Sequence, residues 1–211
     1  MQLTITKADR LKTKPDVSNP LAFGTIFTDH MFNMDYHPDK GWYNPRIEPY
    51  APIEMDPATM VLHYGQAVFE GLKAYRTASG AIQLFRPRDN YKRLNRSSHL
   101  LCIPEIDEAF GVEALKELLR IEKDWIPGAP GTSLYIRPTI IATDPFLGVR
   151  ASHTYRFFVI LSPVGAYYSA GFNPVKIWVT RNSVLALSKS WGLKTSERQI
   201  SIDELMAAHA S

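Results

Sequence analysis

The chain has 211 residues, enough for one large domain or two small ones. Its 45% apolar and 21% charged content is that of an ordinary globular protein. A formal charge of +3, with no Lys/Arg block, excludes an electrostatic case for nucleic-acid binding.

The one cysteine, Cys102, cannot form a disulfide within a single chain and argues against a cysteine-based zinc site. In Leu100-Leu101-Cys102-Ile103 it reads as a small buried hydrophobe. The six histidines show no metal spacing, so no metal is expected. The first ten residues lack an apolar core of signal-peptide length, and no apolar run approaches a membrane span. A reducing cytoplasm is the expected location.

In chain order, residues 1–20 are polar, contain Pro15 and Pro20, and read as an extended arm. Residues 41–60 hold Pro45, Pro49, Pro52 and Pro57 among aromatics, a composition ordered by packing rather than by helix. Leu72 to Tyr75 and Ile82 to Phe85 flank the turn-like Thr77-Ala78-Ser79-Gly80 and predict a hairpin. A helix is expected after Pro87, with Tyr91, Leu94 and Leu101 on its apolar stripe. A second is capped by Asp107, carries Val112, Leu115, Leu118, Leu119 and Trp125, and is stopped by Pro127. Leu134 to Ile141, Phe157 to Leu161 and Val175 to Val179 have the branched and aromatic content of strands. Val184, Leu185, Leu187 and Trp191 then suggest a helix ended by Gly192, and Ser201 with Glu204 fits the capping box of a last one. The mixture is α+β. A Gly/Ser/Tyr-rich stretch at Val164–Gly171 divides it into a domain of residues 1–165 with its arm, and a second, incomplete domain of residues 166–211.

Six stretches occur in an order that identifies a family. They include Phe27-Thr28-Asp29-His30-Met31, Gly41-Trp42 and Leu62-His63-Tyr64-Gly65-Gln66-Ala67-Val68-Phe69-Glu70-Gly71. Leu84-Phe85-Arg86-Pro87, Gly131-Thr132-Ser133-Leu134-Tyr135-Ile136-Arg137-Pro138 and Ser162-Pro163-Val164-Gly165-Ala166-Tyr167 follow. Together they resemble the branched-chain aminotransferases of fold type IV, pyridoxal-phosphate enzymes that form homodimers with sites near the subunit interface. The match runs from about Phe23 to Val179 and resumes at Thr180.

The resemblance implies a transfer of the amino group of leucine, isoleucine or valine to 2-oxoglutarate. It implies that Arg93 grips the cofactor phosphate, a task that suits a planar fork of permanent charge. Thr180 matches the threonine that opens a helix at the same phosphate, where free backbone N–H groups attract an anion. The glycine expected just upstream of it is absent. Arg137 belongs to the substrate-carboxylate region, and Tyr64, Phe69, Tyr135 and Tyr167 match positions lining the side-chain pocket. Without the resemblance, Arg93 would be a solvated helix charge, Arg137 half of a cross-strand ion pair, the aromatics plain core, and Glu70 a solvated carboxylate at a helix end.

Transamination also needs an amine that forms a Schiff base with the cofactor aldehyde. The family carries that lysine in a glycine-rich stretch after the strand matching Val175–Val179, with a later glutamate for the pyridine nitrogen. Neither stretch occurs: Lys176-Ile177-Trp178-Val179 passes straight to Thr180-Arg181. Lys176, Lys189 and Lys194 lie in no context suited to replace it. Omitted residues, an internal deletion and a natural short form all fit, and the Cα spacing from Trp178 to Thr180 distinguishes omission from a real junction. The reading alternative to an aminotransferase is an inactive fragment that associates with full-length subunits. Phe27-Thr28-Asp29-His30 argues against a D-amino-acid transaminase.

Overall fold

In a computed structural model, described for residues 1–17, 19–165, 189, 190 and 192, an eight-stranded sheet forms the frame. Its elements are β1 (Thr4–Ile5), β2 (His30–His37), β3 (Gly41–Pro49), α1 (Met60–Tyr64), β4 (Ala67–Phe69), β5 (Leu72–Arg76) and β6 (Ile82–Leu84). After these come α2 (Pro87–Leu100), α3 (Glu108–Ile121), a short 3₁₀ turn (Lys123–Trp125), β7 (Ser133–Ala142) and β8 (Tyr155–Val164). The strand order is β1-β3-β2-β8-β7-β5-β6, with β4 also pairing β7, and every pair is antiparallel except β1 with β3. The chain divides into two units, Met1–Gly171 and Phe172–Ser211.

Alternation decides what each face of the sheet meets. Along β7, Leu134, Ile136, Pro138 and Ile140 are buried while Tyr135, Arg137 and Thr139 are half-buried. The buried set joins Phe32, Met34, Phe157, Val159 and Leu161 in one core with Tyr91, Leu94, Leu115 and Leu118 of the two long helices. The half-buried set is left on the face opposite those helices.

The expected hairpin is β5–β6, with Gly80 at φ 82° in its turn. The helix after Pro87 is α2, with one difference: Leu101 lies past its end and is exposed, and the buried stripe runs through Tyr91, Leu94, Asn95 and Ser98. Asp107 caps α3 as its spacing predicts, its Oδ1 accepting from Phe110 N at 2.7 Å, but the helix ends at Ile121 rather than at Pro127, and Trp125 lies in the 3₁₀ turn that follows. The strands expected at Leu134 and Phe157 are β7 and β8.

Cys102 is exposed, contrary to the buried role expected from its apolar neighbours. It takes φ 55° in the turn that ends α2, where Ile103 N donates to Ser98 O at 2.9 Å and Ile103, not Cys102, enters the core. The proline-rich stretch from Gly41 to Pro49 is a strand. A register shift opposite Asn33–Asp35 leaves an extra residue in β3, where Asn44 has φ 54° beside Pro45, so the proline sits at a bulge rather than in a ladder it would break. Val175–Val179, the Trp178–Arg181 junction and the last predicted helix lie outside the described residues. Of the helix expected before Gly192, Lys189 and Ser190 are helical, and Gly192, at φ 71°, donates to Lys189 O at 3.1 Å.

Candidate functional site

Arg137 stands in the middle of β7 on the face away from the helices. Its guanidinium lies 4.2 Å from the Phe69 ring centroid and 5.2 Å from that of Tyr135, and its Nε donates to Tyr135 Oη at 3.1 Å. The antiparallel β4–β7 register places Phe69 opposite Thr139, which brings its ring over Arg137. Ile160 is Arg137's partner across β8, so the cross-strand ion pair considered for it does not form. Among the described residues no carboxylate pairs with Arg137. It is a cation held by rings, with fork nitrogens left to take an anion.

Tyr135 is fixed from three sides. Phe23 packs edge-on with centroids 4.8 Å apart, Arg137 donates to its hydroxyl, and Gly71 presses from beneath. A Cβ on Gly71 would stand 2.4 Å from Tyr135 Oη, so the glycine is required for the tyrosine's position. Opposite Tyr135 across β8, Ser162 carries a buried hydroxyl with no hydrogen-bond partner among the described residues. A groove of about 270 Å³ runs from Tyr135 and Gly71 past Lys73 and Tyr75 to Phe85 and Asn90.

Phe85 and Asn90 also line a neighbouring groove of about 420 Å³ with Arg86, Asp89 and Arg93. Pro87 at the first turn starts α2, and two turns on its axis presents Arg93 here. Arg93 is not a free helix charge. Its Nε and Nη2 both donate to the Glu70 carboxylate, the latter at 2.7 Å. Glu70 is buried in the turn between β4 and β5, not solvated at a helix end, and also accepts from Asn90 Nδ2 at 3.1 Å and Gly71 N at 3.2 Å. Burial works against its charge, but the bonds from Arg93, Asn90 and Gly71 outweigh it and hold its carboxyl below the ordinary range. The same pairing raises Arg93. Arg93 keeps 66% of its side chain exposed, with Nη1 unused, over the groove.

Phe69, Tyr135 and Arg137 are thus one cluster, and Arg93 is tied to it through Glu70 and Gly71. Tyr64 stands apart, at the end of α1, with its hydroxyl donating to Leu147 O. Tyr167 and Thr180 lie outside the described residues. The sequence reading missed the roles of Gly71, Asn90 and Ser162. Gly71 and Ser162 sit inside recognisable stretches, whereas Asn90 carried no signal before its contact with Glu70 was seen.

A phosphorylated, carboxylate-bearing pair of ligands fits these donors. Among the described residues, Arg93 has unused N–H groups over an open groove, Arg137 has no acidic partner, and Ser162 Oγ, in the same sheet face as Arg137, is buried without a hydrogen-bond partner.

No family model matches the chain. It is 46% identical to branched-chain-amino-acid aminotransferase 2 of Bacillus subtilis over 288 aligned positions, which take in 99% of this chain and 78% of the relative. That alignment is longer than the 211-residue chain, so an internal stretch of the relative has no counterpart here. It is 55% identical to branched-chain-amino-acid transaminase 1 of the same organism over 182 residues, 86% of the chain and 51% of the relative. Apart from the gapped match, the chain spans about half the length of the curated relatives it matches.

Among solved structures, Escherichia coli branched-chain amino acid aminotransferase superposes with a TM-score of 0.52 at 23% identity, covering 67% of this chain and 42% of that one. The T.th. branched-chain amino acid aminotransferase with pyridoxamine 5′-phosphate gives 0.51 at 28%, covering 65% and 40%. The fold is that of the fold type IV enzymes. The chain belongs to the branched-chain-amino-acid aminotransferase family.

Proposed function

We propose that the unit described is the substrate-side half of a pyridoxal-phosphate branched-chain aminotransferase. With its site complete, such an enzyme moves the amino group of leucine, isoleucine or valine to 2-oxoglutarate, as a cytoplasmic homodimer. The observation that carries this is the Arg137 cation, boxed by Phe69 and Tyr135 and without a carboxylate partner among the described residues.

Amino acids and 2-oxo acids share a carboxylate, and the Arg137 fork takes it. Tyr135 accepts from Arg137, which leaves its own O–H to donate to the bound acid. The Phe69 and Tyr135 rings exclude water and meet an aliphatic side chain. Arg93, aimed by Glu70, would hold the cofactor phosphate with its free N–H groups. Pyridoxal phosphate, when bound, supplies the aldehyde that receives the amino group and the ring that stabilises charge at the α-carbon.

The 211 residues alone lack the lysine stretch and do not catalyse transfer. The aligned length exceeding the chain supports a second reading, in which such a chain associates with full-length subunits without reacting. Purified chain with pyridoxal phosphate, leucine and 2-oxoglutarate should form no glutamate. Turnover well above the protein-free rate overturns this inactivity. Mixing with a full-length relative separates the readings: a mixed dimer on size exclusion supports association, and its absence removes that role.

A further inference from the structure

The N-terminal arm is held by three parts of the fold. Thr4 and Ile5 pair with Arg46 and Ile47, and Thr6 N donates to Ile47 O at 2.9 Å. Lys12 N donates to Asp29 Oδ1 at 2.7 Å, its ammonium reaches Thr28 O at 2.8 Å, and it lies 4.5 Å over the Tyr50 ring. Lys14 lies 5.6 Å over the Trp125 ring. Between these, Ala8 N donates to His30 Nε2 at 2.8 Å.

His30 is 3% exposed, and its Nδ1 meets Glu122 Oε1 in the residue that ends α3. A backbone N–H can only donate, so Nε2 must present a lone pair, and the ring proton belongs on the Glu122 side. The arm therefore reads one protonation state of one buried imidazole. We propose that His30 is a pH-sensitive latch: the uncharged ring holds residues 4–14 against the sheet edge, and a proton taken up at Nε2 releases them.

The surroundings favour that uptake. Two carboxylates face the junction. Asp29 accepts from Trp125 Nε1 at 2.7 Å as well as from Lys12, and Glu122 also receives Asp29 N at 3.3 Å. Both stabilise an imidazolium. Burial pushes the Glu122 carboxyl up, against the opposing pull of His30. The other groups around the arm are cations or rings: Lys12, which lies over Tyr50, and Lys14, which lies over Trp125. A new charge on His30 points N–H at N–H across the Ala8 contact and repels the two lysines of the arm. The docked arm binds fewer protons than the released arm. Docking is therefore favoured at higher pH and weakened as pH falls.

Hydrogen exchange of the purified chain tests this, corrected for the intrinsic effect of pH. Between pH 7.5 and 5.5 the Thr6, Ala8 and Lys12 amides should lose protection at least tenfold, while those of β7 and β8 keep theirs. Ala8→Pro, which removes the donor without touching the core, should leave Thr6 and Lys12 unprotected at both pH values. His30→Gln, whose amide oxygen can accept the Ala8 N–H, should keep the arm protected at both. Equal arm protection at the two pH values in the unaltered chain overturns the latch. So does loss in β7 and β8 together with the arm, or an arm that stays protected in Ala8→Pro.

Discussion

Arg93 gives two of its N–H groups to one carboxylate, that of Glu70, which is itself buried in the turn between β4 and β5. The pair joins the first turns of α2 to the sheet at the place where Gly71 and Tyr135 meet. Glu70→Gln keeps the shape and removes the charge. Because Arg93 is two-thirds exposed, the loss is set below that of a fully buried pair, at about 1–2 kcal/mol in urea unfolding. The folded-state carboxyl lies below its ordinary value, so its contribution is fully present above about pH 4.3 and is lost as pH falls through the lower folded value. The deficit of the variant should be flat from about pH 5 to 8 and shrink in more acid solution. A deficit that grows on acidification contradicts the pairing.

Gly111 lies inside α3, where alanine ordinarily gains up to about 1 kcal/mol over glycine. Here a Cβ would stand 2.5 Å from the ring of Tyr91, which is almost wholly buried. Gly111→Ala should therefore lower stability, by about 1–3 kcal/mol, as the α2–α3 contact is forced apart. Tyr91 Oη has no partner among the described residues, so Tyr91→Phe should be neutral or gain up to about 1 kcal/mol. Urea midpoints of the two variants, moving in these different directions, check the packing.

Asn95 clamps the loop between the helices. Its Nδ2 donates to Ile106 O at 2.8 Å, and its Oδ1 accepts from Ile106 N at 2.9 Å, all buried. Asn95→Ala strands both backbone groups, and the expected loss is about 2–4 kcal/mol. Asn95→Asp restores one bond at most and should also be destabilised. A loss under about 0.5 kcal/mol in Asn95→Ala, the size of an ordinary surface change, would mean that water replaces the amide.

What could be read from the sequence follows from how local each signal is. Asp107 with Val112, Leu115, Leu118 and Leu119 announces α3 within a dozen residues, and Thr77–Gly80 announces its hairpin. The strand β2 was not legible because its buried positions include His30 and Asn33, whose partners, Glu122 and Glu48, lie far along the chain. Pro45 and Pro49 hid β3: Pro45 sits at the bulge beside Asn44, and Pro49 is the last residue of the strand. Cys102 has the neighbours of a core residue, but a positive φ turns it outward. In the site, Arg93 and Arg137 were legible as motif positions. The Glu70 carboxylate that aims one, and the Phe69 ring that covers the other, are products of strand pairing.

Arg137 separates a binding role from a structural one. It has no acidic partner among the described residues, and its contacts are rings and one phenol oxygen. Arg137→Ala should cost this chain less than about 1 kcal/mol in urea unfolding, since no buried charge is left stranded. On the proposed role, the same change in a full-length relative carrying this residue removes a charged hydrogen bond to every substrate. KM should rise for the amino acid and for the 2-oxo acid together, by roughly 10- to 100-fold, the equivalent of about 1.5–3 kcal/mol. Arg137→Lys should recover only part of this, because an ammonium keeps the charge but not the fork. If both KM values stay unchanged while the isolated chain loses several kcal/mol, Arg137 serves the sheet and not the substrate.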